Sequence, residues 1–280
     1  MEMADSSAAT RPRCLPINPL LSLSCLDGRV AAAIVNTSQD IVATVVQRRY
    51  FPSSSASYTG VDKPAQIIDV PLLQNGNSNW QSELFLQNTS RFSANVAVAF
   101  ISSGGFQCTY VANIPYHGRH KIVVAEIGCT AGTILSAHIL ATQPVAVAVT
   151  QYDSGQYRFM ETEHLTATTT LYAPLVQNNN SNWVSGLSLV NAGNSDTTVS
   201  TYYYNAGGGN HCTAPSLPGY LLYPMRPLTI FPLPLSGIPN CLSVLNVRFS
   251  SGQPIAANVN QLLNGSYGAS TYAAANIITN

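Results

Sequence analysis

The sequence predicts an all-β fold of tandem β-sandwich units, and three observations carry that prediction. The stretch PLLQNGNSNW at 71–80 returns as PLVQNNNSNW at 174–183, eight of ten positions being identical at an offset of 103. A second motif occurs three times, as SQDIVATVVQ at 38–47, TQPVAVAVTQ at 142–151 and GQPIAANVNQ at 252–261. Between Asn-, Gly- and Ser-rich turns the chain alternates apolar and polar residues with period two, and no segment carries a helical period. With the first motif named A and the second B, the order is B, A, B, A, B. A period near 104 residues suits one small domain per A–B pair better than a solenoid. The expected organisation is an N-terminal segment with an incomplete sandwich half-domain over 1–66, one sandwich over 67–170 and a second over 171–280.

Each element follows in chain order. MEMADSSAATRPR at the start lacks the apolar core of a signal peptide. INPLLSLSC at 17–25 matches the tail of the segment that precedes the later B copies, so the first domain is expected to begin partway through an A unit. In the first B copy Ile41, Ala43 and Val45 share one face, while Val42 and Val46 on the other face are apolar where the later copies are small or polar. That pattern predicts cover on both sides and makes Val42 and Val46 candidate assembly residues. Ile277 and Ile278, in the alternating run ANIITN at the C-terminus, are the others.

In the A units Trp80 and Trp183 precede the first strong strand and are read as core or sheet-edge packing residues. Leu84 and Leu86 then alternate with Glu83, Phe85 and Gln87, and Leu187, Leu189 and Asn191 repeat Leu84, Leu86 and Asn88. After a turn the chain re-enters as ANVAVAFIS or TTVSTYYYN, where Tyr202, Tyr203 and Tyr204 must alternate faces, so at least one belongs to the core. In the later B copies Val145, Val147 and Val149, and Ile255, Ala257 and Val259, form the inward face of a half-buried strand. Six or seven strands per A–B pair make an all-β sandwich.

The cysteines fall into three repeat-related pairs, Cys14 with Cys25, Cys108 with Cys129 and Cys212 with Cys241. They are read as disulfides, because a metal site wants close spacing such as C-x-x-C and the sequence has none. Closing loops of about 20 to 30 residues stabilises by roughly 3 kcal/mol each in the chain-entropy model. Disulfides imply an oxidising, extracellular location.

Composition narrows the function. Charged residues make up 9% of the chain and the formal net charge is zero, against about 25% charged in a typical soluble domain. Twelve scattered Lys and Arg residues supply no basic patch for nucleic acid. No apolar run is long enough for a membrane-spanning helix. His117, His120, His138, His164 and His211 do not recur at repeat-equivalent positions, and acidic residues are too sparse to offer an obvious triad or carboxylate pair. No enzyme, cofactor or metal is expected, and His117 and His120 are read as loop histidines. The sequons at Asn36, Asn88, Asn179 and Asn264 are weak signals, since chance matches are expected in a chain so rich in Asn and Ser.

The A pattern of Pro-Leu, an Asn-rich turn, Trp, a short strand ending in Asn and a Thr/Val/Tyr-rich strand resembles the tandem immunoglobulin-like repeats of secreted bacterial surface proteins. The B pattern of Gln-Pro-Val/Ile-Ala before a strand is similar to their second half. The resemblance covers about residues 67–280 and in part 25–60. It implies immunoglobulin-like sandwiches at a cell surface. An incomplete sandwich exposes a groove and unpaired edges that a strand from a neighbouring subunit fills, with residues 1–13 or 272–280 as donor. The expectation is a non-enzymatic structural subunit of an extracellular filament or surface layer, its identical copies joined head to tail. The alternative is a secreted adhesin or carbohydrate-binding module in contact with glycans, using the tyrosines at 202–204.

Overall fold

The structure, a computed structural model, describes residues 2–4, 32–34, 44–50, 53–153, 159–163, 167–206, 219–231, 241–263 and 269–273. β1 (Glu2–Ala4) pairs with β2 (Ala32–Ile34), and β3 (Thr44–Tyr50) pairs with β4 (Ser53–Thr59). The first unit holds β5 (Ala65–Asn77), β6 (Trp80–Asn88), β7 (Ala94–Ser102), β8 (Gly105–Ile114), β9 (Arg119–Val123), β10 (Thr133–Asp153) and β11 (Phe159–Glu163). The second holds β12 (Thr168–Asn180), β13 (Trp183–Asn191), β14 (Thr197–Asn205), β15 (Tyr220–Leu222), β16 (Pro227–Ile230), β17 (Val244–Leu263) and β18 (Ala269–Ala273). Among the described residues the one helical segment is a 3-10 turn, Val124–Glu126.

The two units have the same topology. The first runs β8-β7-β10-β5-β6-β9 with β11 on β10, and the second runs β15-β14-β17-β12-β13-β16 with β18 on β17. In each, one long strand serves two layers. The first half of β10 lies between β7 and β5, and its second half lies between β6 and β11. Its pairing with β5 breaks between Leu140 and Val145, around Gln143 and Pro144. Proline has no N–H to give a ladder and so suits such a corner, where a strand passes from one sheet to the other. The corner is pinned: the Thr89 N–H and hydroxyl donate to the Pro144 carbonyl at 3.1 and 3.0 Å, and the Ala192 N–H donates to that of Pro254 at 2.8 Å. The Gln-Pro of the B motif is this corner.

The A motif is a hairpin. Asn77 faces Trp80 across Ser78 and Asn79, both at positive φ (50° and 69°), and Asn180 faces Trp183 across Ser181 (49°) and Asn182 (70°). Two left-handed residues in a two-residue loop match the twist of the flanking strands. Just before each loop the register slips by one residue, at Gly76 (φ 75°) and Asn179 (φ 56°). Gly and Asn are the residues that tolerate that conformation in such a bulge, so the motif's Gly-to-Asn difference preserves the backbone.

A and B motifs meet through buried amides. Gln74 Nε2 donates to Gln151 Oε1 and Gln177 Nε2 to Gln261 Oε1, each at 3.3 Å. Asn77 and Asn180 in turn donate to Gln74 and Gln177 at 3.0 and 2.9 Å. The backbone N–H of each A-motif Gln donates to Ser82 or Ser185 Oγ at 2.8 Å. Buried amides need such partners, which gives a physical reason for glutamine in both motifs.

Each unit has one core. The first joins Leu84, Leu86, Phe100, Leu135, Ile139 and the inward row Val145, Val147 and Val149. The second joins Leu187, Leu189, Tyr203, Phe249 and the row Ile255, Ala257 and Val259. Trp80 is buried and Trp183 half-buried, while Tyr203 is the core member of its run and Tyr202 is exposed. One expectation is corrected: β17 is not half-buried, because Ala256 and Asn258 on its other face are buried too.

Candidate functional site

Cys108 and Cys129 form a disulfide with Cα atoms 5.4 Å apart, and both pack against the first core. The bond ties β8, in one layer, to the segment that follows β9, which pairs with β6 in the other. Cys241 is also disulfide-bonded. Cys14, Cys25 and Cys212 lie outside the described residues, as do Val42, Ile277 and Ile278. Val46 sits in β3 opposite Ser57. Its neighbour Val45 is 36% exposed, although its repeat equivalents Val149 and Val259 are core residues.

The units touch in a repeating way. β11 lies beside β4 on one hand and β18 on the other, and these three strands occupy equivalent places in the three B copies. A turn of the second unit also seats on the outward face of the first. In that turn Met225 has φ 59°, and the Arg226 guanidinium lies 5.0 Å from the Tyr223 ring centroid. Ser136 Oγ donates to the Met225 carbonyl at 2.5 Å, and Arg226 Nη1 donates to the Ser103 carbonyl at 3.4 Å. Asn260 Nδ2 donates to Gln151 Oε1 at 3.4 Å, linking the second B strand to the third.

The outward faces of the two units differ in chemistry. On the first, His138 Nδ1 is 2.8 Å from Asp69 Oδ1. The hydrogen bond to Asp69 raises the His138 pKa, desolvation opposes it, and the charge of Asp69 adds to the rise. The equivalent row of the second unit is Tyr172, Arg248 and Tyr202, with the guanidinium 5.5 Å from the Tyr202 ring centroid. His117 stacks on Tyr116 at 4.0 Å, whereas His120 meets the Tyr110 hydroxyl at 2.9 Å. Burial, then the charge of Arg119, lowers the His120 pKa. Among the described residues no three His, Cys, Asp or Glu side chains gather into a metal set. No helix there is long and apolar enough to cross a membrane.

The sequon at Asn88 is structural. Asn88 is fully buried, and its amide donates to the carbonyls of Phe92, Ile114 and Pro115 at 2.7, 3.1 and 3.0 Å. Its repeat equivalent Asn191 does the same for Ser195 and Leu222. Asn179 is exposed, and Asn36 and Asn264 lie outside the described residues. Sequence reasoning also missed the turn around Met225, because the segment carrying it differs most between repeats.

No protein-family model and no curated protein matches the chain. Among solved structures, a crystal structure of Thermotoga maritima 1070 is similar over 36% of this chain and 94% of its own, at 16% identity and a TM-score of 0.34. The Anabaena sensory rhodopsin transducer is similar over 31% of this chain and 97% of its own, at 11% identity and a TM-score of 0.28.

Proposed function

We propose that the protein is a non-enzymatic structural subunit of an extracellular filament or surface layer. In this reading it is built from tandem immunoglobulin-like sandwiches with an incomplete half-domain over 1–66, and identical copies join head to tail by strand exchange. The observation that carries the reading is the placement of β11 between its repeat equivalents β4 and β18. A contact used twice in one direction along a chain is heterologous, and heterologous contacts that do not close into rings extend into polymers. The exposure of Val45, at a position that is core in both complete units, supports a groove able to receive a strand. Seven strands per unit match the immunoglobulin count, and the strand shared between layers is a difference from that scheme. The Cys108–Cys129 disulfide supports an oxidising compartment. The Asp69–His138 pair has no free serine on its own strand, since Ser136, two residues away, holds the Met225 carbonyl.

Negative-stain electron microscopy of the full chain, beside a version lacking residues 1–13, tests this. Filaments or sheets are expected. Their loss on truncation makes the N-terminal segment the donor, and their survival moves that role to the C-terminal run with Ile277 and Ile278. Dispersed monomers in both samples would sink the proposal.

One observation favours the adhesin reading. The Tyr172, Arg248 and Tyr202 row is an aromatic and cationic face of the kind that stacks on sugars. Glycan-array binding lost in Tyr202→Ala, from a chain that stays monomeric, would select it.

A further inference from the structure

The outward face of the first unit carries an apolar row in register across four strands. Ile67 of β5 faces Leu140 of β10, Leu140 faces Ala97 of β7, and Ala97 faces Val111 of β8. Ile67, Leu140 and Val111 are 62%, 47% and 71% exposed. Single exposed apolar residues are ordinary on protein surfaces, but a contiguous row is not. Leu140, Ala97 and Val111 of this row floor a concavity of about 650 Å³ whose lining also includes Asn95, Asn113 and Thr142. On the turn between β6 and β7, three residues before the lining residue Asn95, Phe92 is 71% exposed. The turn is fixed by Asn88, whose amide donates to the Phe92 carbonyl, and by Ser90 Oγ, which accepts the Phe92 N–H at 3.2 Å.

The second unit is an internal control. Its equivalents of Ile67, Leu140 and Ala97 are Thr170, Ser250 and Ser200. Its equivalent of Phe92 is Ser195, on a turn held by the same amide contact from Asn191. The fold therefore forms without the knob and without the apolar floor. Both are present in one unit and both are absent from the other, so a shared role outside the fold accounts for them together. The face is already an interface at its other end, where Ser136, on the same side of β10 as Leu140, receives the Met225 turn.

We propose that this face binds a second copy of the chain across a two-fold axis, each copy seating Phe92 in the partner's concavity over Leu140, Ala97 and Val111. A knob and a hole carried on one patch suit an isologous contact, since a rotation that places one knob places the other. The contact is lateral to the head-to-tail one and rests on the reading that copies associate.

Sedimentation velocity on the wild type, Phe92→Ser and Leu140→Ser tests it. Both replacements are the residues that the second unit carries, and thermal melts of each variant check that the fold is kept. Each is expected to weaken the two-fold contact about 10- to 100-fold, from the apolar surface lost. Mixing the two variants is expected to recover part of the association, because the mixed pair retains one intact knob and hole. Wild-type association unchanged in both variants would overturn this contact and leave self-assembly standing. A wild type that stays monomeric at every concentration would overturn both.

Discussion

Gly76 and Asn179 occupy the same left-handed bulge position ahead of the A hairpin, at φ 75° and 56°. A β carbon built on Gly76 would meet Gln81 Nε2 at 3.4 Å, so space is available and the backbone conformation sets the cost. Gly76→Asn is expected to leave the urea midpoint near the wild type, whereas Gly76→Val is expected to cost roughly 1–2 kcal/mol. Equal midpoints for the two variants would contradict the bulge assignment. The Asp69–His138 pair makes a pH prediction. The folded pKa of His138 lies above the ordinary 6.5, so its stabilising contribution is complete below that value and fades as pH rises through the folded pKa. His120, lowered by burial and Arg119, acts oppositely, because protonating it at lower pH costs stability. The stability gap between wild type and His138→Gln should therefore narrow as pH rises, and a constant gap would show that the pair does not titrate as described. At this scale the motif glutamines were legible in the sequence as repeats, but their role was not. Gln74 and Gln151 are 77 residues apart and meet only through tertiary packing.

The strands themselves were largely readable. Alternation marked the inward rows of β6 and of the second half of β10, because one face of each packs into a core and the side-chain period is two. The first half of β10 was harder, because the Gln-Pro of the B motif read as the start of a strand. It is instead a corner within a strand of twenty-one residues. The apolar row of Ile67, Leu140, Ala97 and Val111 had no sequence signal, since its members come from four strands and only the register brings them together. The disulfide from Cys108 to Cys129, by contrast, followed from repeat-related cysteine spacing. Its loop spans 21 residues, and opening one of that size is expected to cost about 3 kcal/mol. Melting with and without reductant checks it: a fall in melting temperature is expected, and an unchanged value would remove the bond from the account of stability.

The chain as a whole is a repeat with very little charge. Its two seven-stranded units share one topology, and its three B copies meet along β4, β11 and β18. Repetition was plain in the sequence because the A and B motifs hold the hairpin, the corner and the amide contacts that every unit needs. The way units contact one another was not, because the Met225 turn lies in the segment that varies most. Contacts built from hydroxyls, amides and apolar side chains, with Arg226 donating to the neutral Ser103 carbonyl, give salt little to screen. Assembly is therefore expected to change little between dilute and molar sodium chloride, by turbidity or sedimentation, and dissolution in salt would point to ionic contacts instead. The most direct test of self-assembly is the light-scattering mass of the purified full chain across a dilution series, under non-reducing conditions. A mass above the 29.8 kDa of one chain that rises with concentration is expected. A mass fixed at that of one chain throughout would contradict it.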